Sequence, residues 1–97
     1  MEVRLHPAAR RELFDAAEWY AAQAGRRVAQ DFIADYDEAR LRIVDNPRIG
    51  SPSPAQTRRL MLRRFPFVLI NKLVADHLFI IAVAHQRRRP EYWKKRD

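Results

Sequence analysis

A chain of 97 residues with two glycines and 47% hydrophobic residues has the composition and length of one globular domain, 1–97, with no room for a second. It contains no Cys, which excludes a disulfide scaffold, a thiol nucleophile and a cysteine-based zinc site. The formal charge of +7 is unevenly placed: residues 1–50 hold 8 Lys/Arg against 9 Asp/Glu, residues 51–97 hold 11 against 3, and that second half predicts a polyanionic partner.

In chain order, "EVRLH" (residues 2–6) alternates, with Val3 and Leu5 on one side, and predicts a short strand. Pro7 suits the first turn of a helix, where its missing N–H costs nothing. From there to about Ala24, Ala9, Leu13, Ala16, Ala17, Tyr20 and Ala24 form one stripe at spacings of three and four. Tyr20 belongs to that stripe and is expected in the core; Trp19 lies beside it and is expected on the sheet edge. Gly25 is a C-cap or joint. A second helix follows from about Arg26 to Asp45, striped by Val28, Phe32, Tyr36, Ala39 and Ile43, and Asn46-Pro47 ends it. Two amphipathic helices with so short a connection form an antiparallel hairpin.

"NPRIGSPSPAQ" (46–56) reads as a loop. Three strand-like runs follow, "RRLMLRR", "FVLINKLV" and "LFIIAVAH", with "ADH" as a tight turn between the last two. The order β-α-α-β-β-β predicts an α+β two-layer sandwich, an N-terminal helical hairpin packed on one face of an antiparallel sheet. The other face is left for function. The N-terminus carries charge from its second residue and has no apolar core of a signal peptide, and no apolar run is long enough to cross a bilayer. A cytoplasmic protein without membrane attachment is the expectation.

If Leu60 and Leu62 face the helices, Arg59, Met61 and Arg63 face outward, flanked by Arg58 and Arg64. The last strand delivers His85 and then a basic tail, 86–97, with Arg87, Arg88, Arg89, Tyr92, Trp93, Lys94, Lys95 and Arg96. Guanidinium groups fork onto phosphates or carboxylates and rings stack on unpaired bases, so the face suits RNA or an acidic protein segment; a solvated charged face, with the Trp93 ring packed on the sheet edge, is the plain alternative. No phosphate loop, no His-Glu-x-x-His pair and no acidic magnesium cluster is present, so neither metal nor cofactor is expected. Metal-free RNA cleavage needs a base, cations for the phosphorane and an acid, roles open to Arg63, His85, Arg87 and Tyr92. His6 and His77 are expected at the surface.

"ARRELFDAAEWY", "FIADYDEARLRIVDNPRIG", "RRLMLRRFPFVLINKL" and "IIAVAHQRRRPEYWKKR" together resemble the RelE/ParE superfamily of bacterial toxins from type II toxin–antitoxin operons, over nearly the whole chain. The resemblance implies a cognate antitoxin with an acidic, partly disordered segment, and contact with operator DNA only through that antitoxin. One branch resembles ribosome-dependent mRNA endonucleases. The other resembles poisons of DNA gyrase that do no chemistry of their own. Long paired helices and "RRFPFVLI" are more similar to the second, ParE-like branch, and Gln86 stands where a ribonuclease-like pattern places an arginine. A gyrase-directed toxin is therefore ranked ahead of an mRNA endonuclease acting with the ribosome. A non-toxic basic binding module or degenerate toxin is the remaining alternative.

Overall fold

In the computed structural model, which describes residues 1–96, the chain runs β1 (Glu2–Leu5), α1 (Pro7–Ala24), α2 (Arg26–Asp45), β2 (Ser51–Ser53), β3 (Thr57–Met61), β4 (Phe67–Val74) and β5 (His77–His85). The strands form one sheet in the order β1-β5-β4-β3-β2. The α+β sandwich with a helical hairpin on one face is as the sequence predicts. Two details differ. The expected loop 46–56 contains a fifth strand, β2, paired antiparallel with β3. It escapes a propensity reading because its centre is Pro52, which lacks an N–H and is tolerated only on an edge strand. And the sheet is not wholly antiparallel, because β1 lies parallel to β5, with Val3 opposite Leu78 and Leu5 opposite Ile80.

The helices follow their end signals. His6 caps α1, its Nδ1 accepting the N–H of Ala8 at 2.9 Å, and Pro7 opens the first turn. Gly25, at φ 96°, is the whole connection between the helices, a conformation that a Cβ would strain. Asn46, extended ahead of Pro47, closes α2.

Between hairpin and sheet lies a core of Ala9, Leu13, Phe32, Ala39, Ile43, Leu60, Leu62, Leu69, Leu78, Ile80 and Val83. Its aromatic centre is Phe32, whose ring centroid lies 5.3 Å from Tyr20, 5.5 Å from Phe65 and 5.0 Å from Phe67. These tilted and edge-on contacts are the favoured geometries of aromatic quadrupoles. Trp19, 58% exposed, stands edge-on to Tyr20 at 5.2 Å and borders a concavity with Pro66, Phe67 and His85 at one end of the sheet. One buried carboxylate serves this layer. Asp35 Oδ2 accepts the N–H groups of Arg64 (2.9 Å) and Phe65 (3.0 Å), tying α2 to the turn that joins β3 to β4.

A β-bulge changes the facing of β5. Ile70 pairs with Ala82 but Asn71 pairs with Ile80, so Ile81 is an inserted residue. Before the bulge Leu78 and Ile80 face the helices; after it Val83 does, and His85 opposes Phe67. A strict period of two would have put His85 on the outer face with Phe79 and Ile81. The bulge instead sets its ring against Phe67, centroids 5.1 Å apart.

Candidate functional site

The outer face of the sheet is not left open. Residues after His85 form turns that fold back across it, and Trp93, 5% exposed, packs on Val68, Ile70, Ile81 and Ala82, with Tyr92 and Phe79 beside them. The basic tail is thus an ordered arm with an apolar anchor. A charge run names the solvated half of such a segment; the tryptophan supplies the reason it folds.

Its polar anchor is Glu12, which sequence periodicity places merely outside the apolar stripe of α1. Beyond β1 the edge of β5 has no neighbouring strand, and side chains take over its backbone groups: Arg96 Nη1 donates to the carbonyl of Ile81 at 3.0 Å, and the N–H of Val83 donates to Glu12 Oε1 at 3.0 Å. Arg96 forks onto the same carboxylate, Nη1 to Oε1 and Nη2 to Oε2, both at 2.9 Å, and the Tyr92 hydroxyl donates to Oε2 at 2.6 Å. Arg88 completes the cluster, its guanidinium 4.0 Å above the Tyr92 ring and Nη1 3.8 Å from Oε2. Burial, then the hydrogen bond to Glu12, pushes the Tyr92 phenol well above its usual range. The hydrogen bond to Glu12 likewise raises Arg96. Each group is held in its hydrogen-bonding protonation state.

Between the arm and the β2–β3 edge lies a cleft of about 180 Å³. Val68, Ile70 and Ala84 form its apolar floor, and Arg59, Arg88 and Arg89 give it positive walls. It is suited to an anionic group joined to a small apolar one. Among the described residues no cluster of metal-ligating side chains occurs, and no helix is long and apolar enough to cross a membrane.

The predicted binding residues divide by environment. Arg59, Arg87, Arg89 and Lys95 are exposed and make no side-chain hydrogen bond or ion pair among the described residues. Arg58 points to the helix side, where Nη1 donates to the carbonyls of Arg48 (3.0 Å) and Gly50 (3.2 Å) and fixes the approach to β2. Arg63 pairs with Glu38 at 3.1 Å and Arg64 with Asp31 at 3.6 Å, both turned toward α2, and Lys94 pairs with Glu91 at 3.3 Å. Trp93 and Arg96 are anchors of the arm. Of the ribonuclease candidates, His85 and Tyr92 line the cleft, whereas Arg63 and Arg87 do not. The His85 Nδ1 accepts the N–H of Arg87 at 3.0 Å, and the Tyr92 hydroxyl is taken by Glu12.

Glu12 and Asp35 are the residues that sequence reasoning misses. Each is a carboxylate satisfied by groups far along the chain, and no local pattern marks either one.

A second concavity lies on the outer side of the helical hairpin, an apolar groove of about 610 Å³ bordered by Leu13, Phe14, Ala17 and Ile33, with Phe14 54% exposed.

Comparison with known proteins places this geometry. The family described as the ParE toxin of the type II toxin-antitoxin system, parDE, matches residues 3–90. A solved structure, the chromosomal ParDE toxin–antitoxin system from P. aeruginosa, is similar with a TM-score of 0.78 and 23% identity, covering 88% of this chain and 95% of that one. At that identity the likeness is one of fold. No curated protein matches.

Proposed function

We propose, on the premise that this chain belongs to the ParE toxin family of type II toxin–antitoxin systems, that it acts by binding DNA gyrase and stabilising its cleaved-DNA complex, without chemistry of its own. The same premise implies a cognate antitoxin. The observation that carries the proposal is the fate of the reactive side chains. A metal-free nuclease needs an acid, a base and cations converging on one phosphate. Here the Tyr92 proton is committed to Glu12, Arg63 is committed to Glu38, and Arg87 stands outside the cleft that His85 borders. What remains presented are the cations Arg59, Arg87, Arg89 and Lys95, a surface for recognition.

The antitoxin reading follows from the same surface. An acidic segment would neutralise the presented cations and cover the cleft, and its apolar side chains have a seat in the groove beside Phe14. Charge complementarity would speed encounter, while the buried apolar contacts would set the slow release.

The test is a supercoiling and cleavage assay with purified gyrase, comparing the wild type with Arg59→Ala/Arg87→Ala/Arg89→Ala. Linear, protein-linked DNA that accumulates with the wild type and drops at least tenfold with the variant is the expected result. A folded wild type that leaves gyrase untouched but cuts ribosome-bound mRNA would overturn the proposal.

A further inference from the structure

We infer that Glu12 is the latch of the basic arm: a positioning residue on α1 that fixes residues 88–96 against the sheet, so that the arm's free cations form a rigid array in place of a loose charged tail. As a statement about target binding, this rests on the proposed gyrase-directed reading. As a statement about the molecule, it stands on geometry alone.

Three observations meet at Glu12. First, its two oxygens gather partners from both sides: the Tyr92 hydroxyl, both terminal nitrogens of Arg96 and the N–H of Val83, with Arg88 Nη1 at 3.8 Å. A forked arginine–carboxylate pair fixes orientation as well as distance, because two parallel bonds allow no rotation about the contact. The side chains of Glu12 and Arg96 are only 13% and 17% exposed, so water screens the pair poorly. Second, among the described residues the arm has no sheet pairing and no helix to hold it. Its backbone bonds among the described residues are short-range, such as Arg88 N–H to the carbonyl of His85 and Lys94 N–H to that of Glu91, apart from Gln86 N–H to that of Pro66 at its root. The contacts that dock it on the domain are Trp93 in the apolar patch and the cluster at Glu12. Third, the arm's charges divide in two. Arg96 is buried against Glu12 and Arg88 is held beside it with its side chain still 53% exposed, whereas Arg87, Arg89 and Lys95 are exposed and make no ion pair among the described residues. One carboxylate thereby sets which cations a partner meets, and at what spacing.

The consequence differs from that of an ordinary surface ion pair, whose loss leaves the backbone in place. Removing Glu12 strips Tyr92, Arg96 and one edge N–H of β5 of an acceptor at once, and Arg88 of its ion-pair partner. Trp93 and the bond from Arg96 to the Ile81 carbonyl must then hold a segment, 88–96, carrying five cations.

Two tryptophans make this measurable. In a Trp19→Phe background Trp93 is the only tryptophan, a buried reporter seated under the arm. In that background we would compare Glu12, Glu12→Gln and Glu12→Ala by emission maximum and by hydrogen exchange of amides 88–96. The expected result is a red shift of Trp93 and loss of protection confined to the arm, larger for Ala than for Gln, while amides of α2 and β4 keep theirs. Gyrase cleavage should fall at least tenfold with Glu12→Ala. If Glu12→Ala unfolds the whole domain, Arg96→Met and Tyr92→Phe remove the latch from the arm's side, and the double variant is expected to release Trp93. An arm that keeps its emission and protection in all these variants overturns the inference. So does loss of cleavage with the arm still in place, which would make Glu12 a direct contact. If the wild type has no effect on gyrase, the proposed function fails while fluorescence and exchange still decide the latch.

Discussion

The two faces of the sheet are covered by different means. On one face two helices of 18 and 20 residues bury a stripe that repeats every three or four positions, around the ring cluster of Phe32, Tyr20, Phe65 and Phe67. On the other face an arm without regular structure is held by one tryptophan and one carboxylate. The first cover is distributed, so each residue shares its role with neighbours in a repeating pattern. The second is concentrated, so it depends on a few contacts and can yield without taking the domain with it.

That contrast is broken or sharpened first by a pair of truncations. Phe32→Ala should cost about 3–5 kcal/mol, the range for removing a buried aromatic, and should lower the denaturation midpoint seen by every probe together. Trp93→Ala should cost the global transition roughly 2–3 kcal/mol, less than the usual aromatic range because the arm can detach locally. Hydrogen exchange should show the arm opening well before the core. Equal costs with coincident transitions would mean that the two faces form one cooperative unit.

A smaller effect appears at high pH. The Tyr92 phenol is raised above its ordinary value of 10.0, first by burial and then by Glu12, so the unfolded chain releases that proton before the native one does. The corresponding stability is whole below about pH 10 and declines as pH rises beyond it, by at most about 1.4 kcal/mol per pH unit for one group. Tyr20 and Tyr36 are raised by burial on the helix side and decline in the same sense. Tyr92→Phe should flatten the alkaline part of the stability curve without removing it. An unchanged slope would show that Tyr92 is not held as the structure indicates.

The smallest change concerns neither cover but the hairpin of β4 and β5 that both faces share. Ala75 sits at φ 54° in its turn, a left-handed conformation that costs a residue with a Cβ about 1 kcal/mol. Ala75→Gly should recover part of that as a higher melting temperature. A fall would indicate that the chain entropy glycine adds to the unfolded state outweighs the relieved strain.

The same contrast explains what could be read from the sequence. The helical hairpin was legible from Gly25, Asn46-Pro47 and the stripes because local patterns specify it. The strands β3, β4 and β5 were legible from their alternating and β-branched runs. The inserted Ile81 was not, since a bulge adds one residue to a run without any local mark, and the face that His85 takes turns on that one residue. β2 was hidden by its prolines. In the binding face the cations were legible as a cluster, but not the division between presented Arg59, Arg87, Arg89 and Lys95 and engaged Arg58, Arg63, Lys94 and Arg96. Their partners Glu12, Glu38 and the carbonyls of Arg48 and Gly50 lie on other elements or at loop positions. Only Glu91 is close in sequence to the lysine it engages. Trp93, set on the sheet edge in the plain reading of the tail, proves to be the arm's apolar anchor on the outer face of the sheet. Deleting residues 87–97 therefore uncovers Val68, Ile70 and Ile81 along with removing charge, and substitution of the presented cations is the cleaner experiment.

The proline at the centre of β2 has a further consequence. An outermost strand is where a second chain can add itself to a sheet and begin a stack of copies. Here that position is three residues long, and its middle residue has no N–H to offer an incoming strand. Together with a surplus of like charge, this discourages the molecule from recruiting its own kind during the interval when it is made but not yet partnered, and so favours survival as single, encounter-ready copies.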